Sequence, residues 1–206
     1  GKGLNAARSL AANESRQTRV GPYTWDEFLE RVRRFHSYVA PGVLVGGIMV
    51  DMAMEQIPKG VLFNVICETP SCLPDSVQLL TPCTVGNGWL RVVNLGRYAV
   101  SLYNKYEGDG VRVHLDPGKL EGWNEIRSWF LKLKTKQEQD SALLQEEIRL
   151  AGRGIYTLRP VRVKRGELVR GSKGSSAICR SCGEAYPGRD GAVCLGCQGQ
   201  TTYEAP

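Results

Sequence analysis

The sequence has no long uninterrupted hydrophobic run. Its best apolar stretch, residues 43–50, stops at Asp51 and is much shorter than the roughly 18 residues of a membrane span. The N-terminal segment also lacks the apolar centre of a signal peptide, because Arg8, Glu14 and Arg16 interrupt it. We therefore expect no membrane contact and a cytoplasmic location.

A reason to form disulfides is missing as well. Secreted chains with several cysteines usually build a disulfide framework, but the seven cysteines of this chain occur without a secretion signal. The cysteines are therefore interpreted as free thiols and metal ligands in a reducing compartment.

Four of the cysteines are spaced as metal ligands. They follow the pattern C-x2-C-x11-C-x2-C, which is typical of a tetrahedral structural zinc site, and are Cys179, Cys182, Cys194 and Cys197. The short segment around them cannot build a core of its own, so metal binding must supply its folding energy. We expect one structural zinc per chain, with iron in a rubredoxin-like site as the alternative and no open position for catalysis.

Net positive charge is absent from most of the chain. Residues 1–150 hold 18 basic and 17 acidic side chains and residues 177–206 hold 2 and 3, whereas residues 151–176 hold 7 and 1. Such a basic strip is either a solvated connector or a contact for nucleic acid phosphates. The candidate nucleic-acid contacts are basic residues of this strip: Arg159, Arg162, Lys164, Arg165, Arg170 and Lys173.

Hydrophobic periodicity predicts an α+β fold with a mixed, mainly antiparallel sheet and packed helices. Helices are expected from Trp25, through residue 50, from residue 72, over 123–133 and over about 137–150. Strands are expected over 61–67, 89–93, 98–104, 111–115 and 155–163. Asp109–Gly110 is a strong hairpin turn signal, and Pro160 is typical of an edge strand.

Changes in composition predict three parts of the chain. Residues 1–165 form the α+β core domain, of which residues 1–20 are a mobile arm or an irregular helical lead-in. Residues 166–176 are a basic Gly/Ser linker, and residues 177–206 form the zinc finger.

A second candidate site lies in the core domain. Thr24–Glu27 has the form of a capping box, and the helix that follows carries His36 on its apolar side. Cys72 and Asp75 begin another helix, and Cys83 enters a glycine-rich loop, so that all four residues lie at ends of elements, where clefts form. They are either ordinary core residues or a site for a metal or small ligand.

Three segments of the chain together resemble the E-subunit family of formylmethanofuran dehydrogenase: FHSYVAPGVLVGG, ETPSCLPDSVQLLTPCTVGNGWL and CRSCGE. The resemblance implies an intertwined α+β homodimer, with a C-terminal zinc finger in some members. It also implies a core site near a His-x-His and Cys-Pro-Gly corner. His36 matches the first histidine, whereas Tyr38 and Ala40 replace the second histidine and the cysteine. Three residues match the later motif: Cys72, Asp75 and Cys83.

The family name refers to an enzyme that reversibly reduces carbon dioxide on a molybdenum or tungsten pterin. This chain shows no pterin, flavin or iron-sulfur framework, and four of its seven cysteines belong to the finger. We therefore expect a homodimeric protein that binds a metal or small ligand in its core cleft, is not catalytic alone, and docks a protein partner or nucleic acid with its finger.

Two other functions stay open. The chain is either an accessory subunit of a molybdenum or tungsten formylmethanofuran dehydrogenase-like oxidoreductase, or a small metal-dependent enzyme that uses His36 and Cys72. The second function requires a second metal in the core.

Overall fold

The structure, a computed structural model, describes residues 18–168 and 171–204. The chain divides into two units, 1–168 and 169–206. The expected N-terminal arm lies outside the described residues up to residue 17, and so does Arg170 of the basic strip.

The first unit contains a small hairpin and a central sheet. The hairpin consists of β1 (Arg19–Val20) and β2 (Tyr23–Thr24). The strands of the sheet are β3 (Phe63–Cys67), β4 (Leu90–Val92), β5 (Ala99–Asn104), β6 (Asp109–Leu115) and β7 (Tyr156–Arg162). Their order is β4-β3-β5-β6-β7, with β3 and β4 parallel and every other pair antiparallel. This confirms the predicted α+β class with a mixed, mainly antiparallel sheet.

Six α-helices accompany these strands in the described part of the chain. They are α1 (Trp25–His36), α2 (Pro41–Met54), α3 (Leu73–Leu80), α4 (Asn124–Phe130), α5 (Ser141–Ala151) and α6 (Arg165–Leu168). The first of them begins at the predicted capping box, where the Thr24 hydroxyl accepts a hydrogen bond from the Glu27 amide at 3.2 Å. It ends at Ser37, whose φ of 76° is left-handed.

Helix α2 is the centre of the core. Its residues from Gly42 to Val50 are all buried, and so is Ala53. It packs on β5 and β6 and is surrounded by α1, α3 and α5. A helix enclosed on every side needs apolar residues around its whole circumference, which explains why its sequence has almost no polar face.

The hairpin between β5 and β6 turns earlier than the sequence predicts. Asp109 and Gly110 belong to β6, where Gly110 pairs with Tyr103. Gly108 takes the left-handed position of the turn with a φ of 84°, and the Asn104 side chain accepts hydrogen bonds from two turn amides. The predicted Asp-Gly turn is therefore wrong, because Gly108 and Asn104 together make the turn.

The last strand of the sheet, β7, is an edge strand as predicted. Pro160, which has no N–H group to donate, pairs there with Val111. The chain then forms α6 at the start of the expected linker, and Glu167 of this helix pairs with Arg91 at 2.6 Å.

The second unit contains a two-stranded antiparallel hairpin and short helical turns. The strands are β8 (Ser176–Ile178) and β9 (Ala185–Pro187). The turns are Gly188–Asp190 and Gly196–Gln200. Cys179 and Cys182 lie in the loop between the strands, and Cys194 and Cys197 lie at the second turn.

Among the described residues, no single helix is both long and apolar enough to cross a membrane. Helices α1 and α2 reach that length and composition together, but they are bent by 120°.

Candidate functional site

The four cysteines of the second unit form one cluster. Their sulfur atoms all lie within 4.8 Å of one another. Sγ of Cys182 is 3.8 Å from Sγ of Cys194, far beyond the roughly 2.0 Å of a disulfide bond. Sulfurs about 3.8 Å apart are expected around a tetrahedral zinc with Zn–S bonds of about 2.3 Å. The cluster therefore fits the structural zinc that the spacing predicts.

Backbone amides and neighbouring sulfurs act on this cluster in opposite directions. Amides of Cys194 and Cys182 donate toward Cys179 and lower the pKa of its thiol to about 6. The Glu184 amide also favours the thiolate of Cys182, but burial and three neighbouring cysteine sulfurs raise its pKa to about 12. Four thiolates at this distance need a cation to balance them, and a divalent metal provides it.

In the core, three of the four predicted residues come together. Nδ1 of His36 lies 2.6 Å from Oδ2 of Asp75, and Nε2 of His36 lies 3.9 Å from Sγ of Cys72. His36 is the last residue of α1, and Cys72 directly precedes α3. The bend between α1 and α2 therefore brings together side chains that are 36 and 39 residues apart.

The core does not fit a tightly held metal. Zinc sites in proteins have three or four protein ligands, whereas this group offers one free imidazole nitrogen and one thiol. The positions of two further family ligands hold Tyr38 and Ala40. Within the described residues, the cysteine cluster is the group of three or more ligands that could hold a metal ion.

Cys83, the fourth predicted residue, lies apart from the other three. Its thiol donates to the Phe63 carbonyl at the start of β3, at 3.6 Å, whereas Cys72 follows the end of that strand. The side chain is 1% exposed, and burial raises the pKa of its thiol. Cys83 is therefore part of the hydrophobic core.

A cleft of about 640 Å³ opens beside Cys72. One part of its lining is aromatic, because Tyr98 meets Trp129 and Phe130 edge-on, with ring centroids 6.4 and 6.3 Å apart. Another part carries positive charge on Arg97, Arg112 and Lys132. Among the described residues that line the cleft, none is acidic.

One buried carboxylate organises the charged side of the cleft. Oε2 of Glu68 lies 2.7 Å from Nε of Arg112, and Oε1 lies 2.6 Å from Nε of Arg97. Burial opposes ionisation, but the two guanidinium groups outweigh it and hold the pKa of Glu68 below its ordinary value. Burial and the charge of Arg112 lower the pKa of His114, another lining residue, so that its imidazole is neutral near pH 7.

The sequence predictions missed most of these lining residues. Trp129 and Phe130 were assigned to the apolar side of a helix, which does not distinguish a cleft wall from a core. Arg112 and His114 alternate with apolar residues in β6, and this alternation was the signal that both belong to the polar side of the sheet.

The described basic residues of residues 151–176 are exposed: Arg159, Arg162, Lys164, Arg165 and Lys173. Arg162 forms an ion pair with Asp109 at 2.7 Å, which neutralises part of the strip.

Comparison with known proteins agrees with these features. Residues 35–164 match the FmdE family, described as molybdenum formylmethanofuran dehydrogenase operon, and residues 170–204 match the FmdE treble clef zinc finger. The chain is similar to the crystal structure of an FmdE-like protein of tungsten formylmethanofuran dehydrogenase from Syntrophus aciditrophicus. The two are 52% identical with a TM-score of 0.85, and the match covers 91% of this chain and 99% of that chain.

The chain is also 28% identical, over 193 residues, to a probable S-adenosyl-L-methionine-binding protein from Archaeoglobus fulgidus. That match covers 83% of this chain and 52% of the relative, so the chain spans about half of the relative's length. The FmdE match covers most of the first unit, and the zinc-finger match contains all four clustered cysteines. The chain therefore belongs to the FmdE family and carries the C-terminal FmdE treble clef zinc finger.

Proposed function

We propose that this chain is a homodimeric binding protein whose core cleft takes a small organic ligand with a planar ring and an anionic group. The observation that carries the proposal is the cleft beside Cys72, with its aromatic and cationic sides. Its volume of about 640 Å³ lies in the usual range for small-molecule sites. The rings of Tyr98 and Trp129 suit a planar group, and Arg97 and Lys132 suit a carboxylate or phosphate.

The name of the Archaeoglobus fulgidus relative suggests the first probe. S-adenosyl-L-methionine carries an adenine ring, a carboxylate and a sulfonium cation, and a sulfonium cation is attracted to the face of an aromatic ring. Each of these groups has a partner in the lining of the cleft, so we propose S-adenosyl compounds as the ligands to test first.

Isothermal titration of the full chain with S-adenosyl-L-methionine and S-adenosylhomocysteine tests this proposal. We expect saturable binding, and we expect Trp129→Ala to weaken it about tenfold, because a lost ring contact costs on the order of 1 kcal/mol. Trp89→Ala is the matched control, since Trp89 does not line the cleft. Absence of saturable binding by both compounds at millimolar concentration would overturn the proposed ligand class.

We further propose that the zinc finger docks a protein partner. Taken by itself, the second unit exposes Ile178, Leu195 and Tyr203, which are 71, 40 and 84% exposed. Exposed apolar side chains of this size are typical of docking surfaces. All seven cysteines are free thiols, which supports our proposal of a reducing, cytoplasmic location.

A further inference from the structure

The group formed by Cys72, His36 and Asp75 has the order of a nucleophile, a base and an orienting carboxylate. Asp75 accepts the proton of His36 Nδ1, which leaves Nε2 as the nitrogen that faces the sulfur of Cys72. The distance from nitrogen to sulfur, 3.9 Å, is long for a hydrogen bond but usual for a nucleophile and base without substrate.

The backbone at Cys72 is strained in the way that nucleophile turns are. Cys72 has a φ of 58° and a ψ of −48°, and the Leu73 amide donates to the Ser71 carbonyl at 2.6 Å. This is a γ-turn with positive φ, a rare and strained form. The turn lies between β3 and α3, and strained strand-to-helix turns of this kind present the nucleophile of α/β-hydrolases.

The surroundings of Cys72 leave its sulfur accessible. Cys72 lines the cleft of about 640 Å³ and is half-buried, unlike Cys83 and Cys67, which are buried. A Cβ atom at Gly42 would lie 2.9 Å from the Cys72 sulfur, so the glycine keeps the space that the sulfur occupies. The same sulfur therefore contacts a base and opens into a cavity large enough for a substrate.

We infer that Cys72 is a catalytic nucleophile that accepts an acyl group from a small anionic ester or thioester, with His36 as its base. Asp75 is a positioning residue, because it acts through His36. This inference uses the cleft of the proposed function, but it does not depend on S-adenosyl compounds being the ligand.

The first step transfers one proton and exchanges one bond. The Cys72 sulfhydryl passes its proton to Nε2 of His36 while the sulfur forms a bond to the acyl carbon. The bond from that carbon to the leaving alcohol or thiol breaks, and His36 returns the proton to the leaving group. The product is a thioester on Cys72, and the positive side of the cleft holds the anionic end of the acyl group.

The second step restores the enzyme. A water molecule adds to the thioester carbon while His36 takes its proton, and the carbon–sulfur bond breaks. The proton returns to the Cys72 sulfur, and a carboxylic acid leaves. Burial and the charge of Asp75 raise the pKa of Cys72, so the thiol is protonated at rest and requires a base for this cycle.

Acylation of the full-length, zinc-loaded chain by the mono-p-nitrophenyl ester of succinate tests the inference. We expect about one equivalent of p-nitrophenol in a burst and, by peptide mapping, a succinyl group on Cys72. Loss of a general base costs on the order of 100-fold, so His36→Gln should slow the burst by about that factor. Cys72→Ala should abolish the burst, and Cys83→Ala, the matched control, should leave it unchanged.

Asp75 requires a readout that a merely structural role would not change. We expect Asp75→Asn to slow the burst at least tenfold, and Asp75→Glu to recover part of the rate, while thermal melts show that both variants stay folded. Acylation elsewhere than Cys72, or equal rates for the original chain and folded His36→Gln, would overturn the inference. Binding of S-adenosyl-L-methionine to Cys72→Ala is measured separately, so this inference and the proposed function can fail independently.

Discussion

At the scale of single residues, Gly42 determines how closely α2 approaches Cys72. A Cβ atom at this position would lie 2.8 Å from Cβ of Cys72 and 3.0 Å from the Tyr98 hydroxyl oxygen. That hydroxyl also donates to the Gly42 carbonyl. The helix, the strained turn and the aromatic side of the cleft therefore meet at a residue without a side chain.

We expect Gly42→Ala to destabilise the first unit by about 1 to 3 kcal/mol, because three buried groups would have to move to accept one methyl group. Denaturant unfolding measures this change. Gly86→Ala is the matched control, since the nearest atom would be 3.9 Å away, and it should change the stability by about 0.5 kcal/mol or less. Equal stability of the two variants would contradict the close packing around Gly42.

Single residues also show where sequence reasoning reaches its limit. The sequence could assign His36, Cys72 and Asp75 to ends of elements, and the structure brings these three together. It could not show that Cys83 points elsewhere, because that depends on how α3 packs against β3. Spacing along the chain carries no information on contacts that close across 36 or more residues.

At the scale of elements, local signals predicted what local interactions decide. The capping box at Thr24 predicted the start of α1, and Pro160 predicted the edge position of β7. The last predicted helix was expected from about residue 137, whereas α5 begins at Ser141. Asp140 is its N-cap and accepts a hydrogen bond from the Leu143 amide at 3.0 Å, a signal that was present in the sequence and was missed.

The apolar stripe of α1 was predicted in part. Trp25, Phe28 and Val32 are buried as expected, but Phe35 is 49% exposed. Helical periodicity gives the direction of a side chain but not where its neighbours end. The last turn of α1 is such a place, because the chain bends there into α2.

The zinc finger is an element whose folding depends on its metal. We expect Cys179→Ser or Cys197→Ser to release about one zinc per chain and to unfold residues 177–206, while the first unit keeps a cooperative melt. Metal analysis and limited proteolysis measure these effects. Cys83→Ala, which changes a cysteine outside the cluster, should retain the zinc. Retained zinc together with unchanged proteolysis of the Cys197→Ser finger would rule out the predicted role.

At the scale of the whole molecule, we predict a homodimer. The prediction rests on the family resemblance, since the structure contains a single chain. Light scattering at micromolar concentration should give twice the mass of the 22.7 kDa chain. A monomer at that concentration would contradict the prediction.

The same dimer sample is then titrated with duplex DNA and RNA at two salt concentrations, because contacts through phosphates alone weaken steeply with salt. If the exposed strip binds nucleic acid, Arg159→Glu with Lys164→Glu should remove the binding. Lys59→Glu, an exposed lysine outside the strip, is the matched control. A dimer that ignores nucleic acid at low salt would leave docking of a protein partner as the proposed role of the finger.

The enclosure of α2 also has a consequence for the evolution of the family. Gly46 and Gly47 have no side chain where Ser76 and Phe28 press against the helix, so each glycine and its neighbour share one fixed volume. A larger residue at either glycine is tolerated only together with a smaller one opposite. Related sequences should therefore show substitutions at positions 46 and 76, and at positions 47 and 28, that occur as pairs.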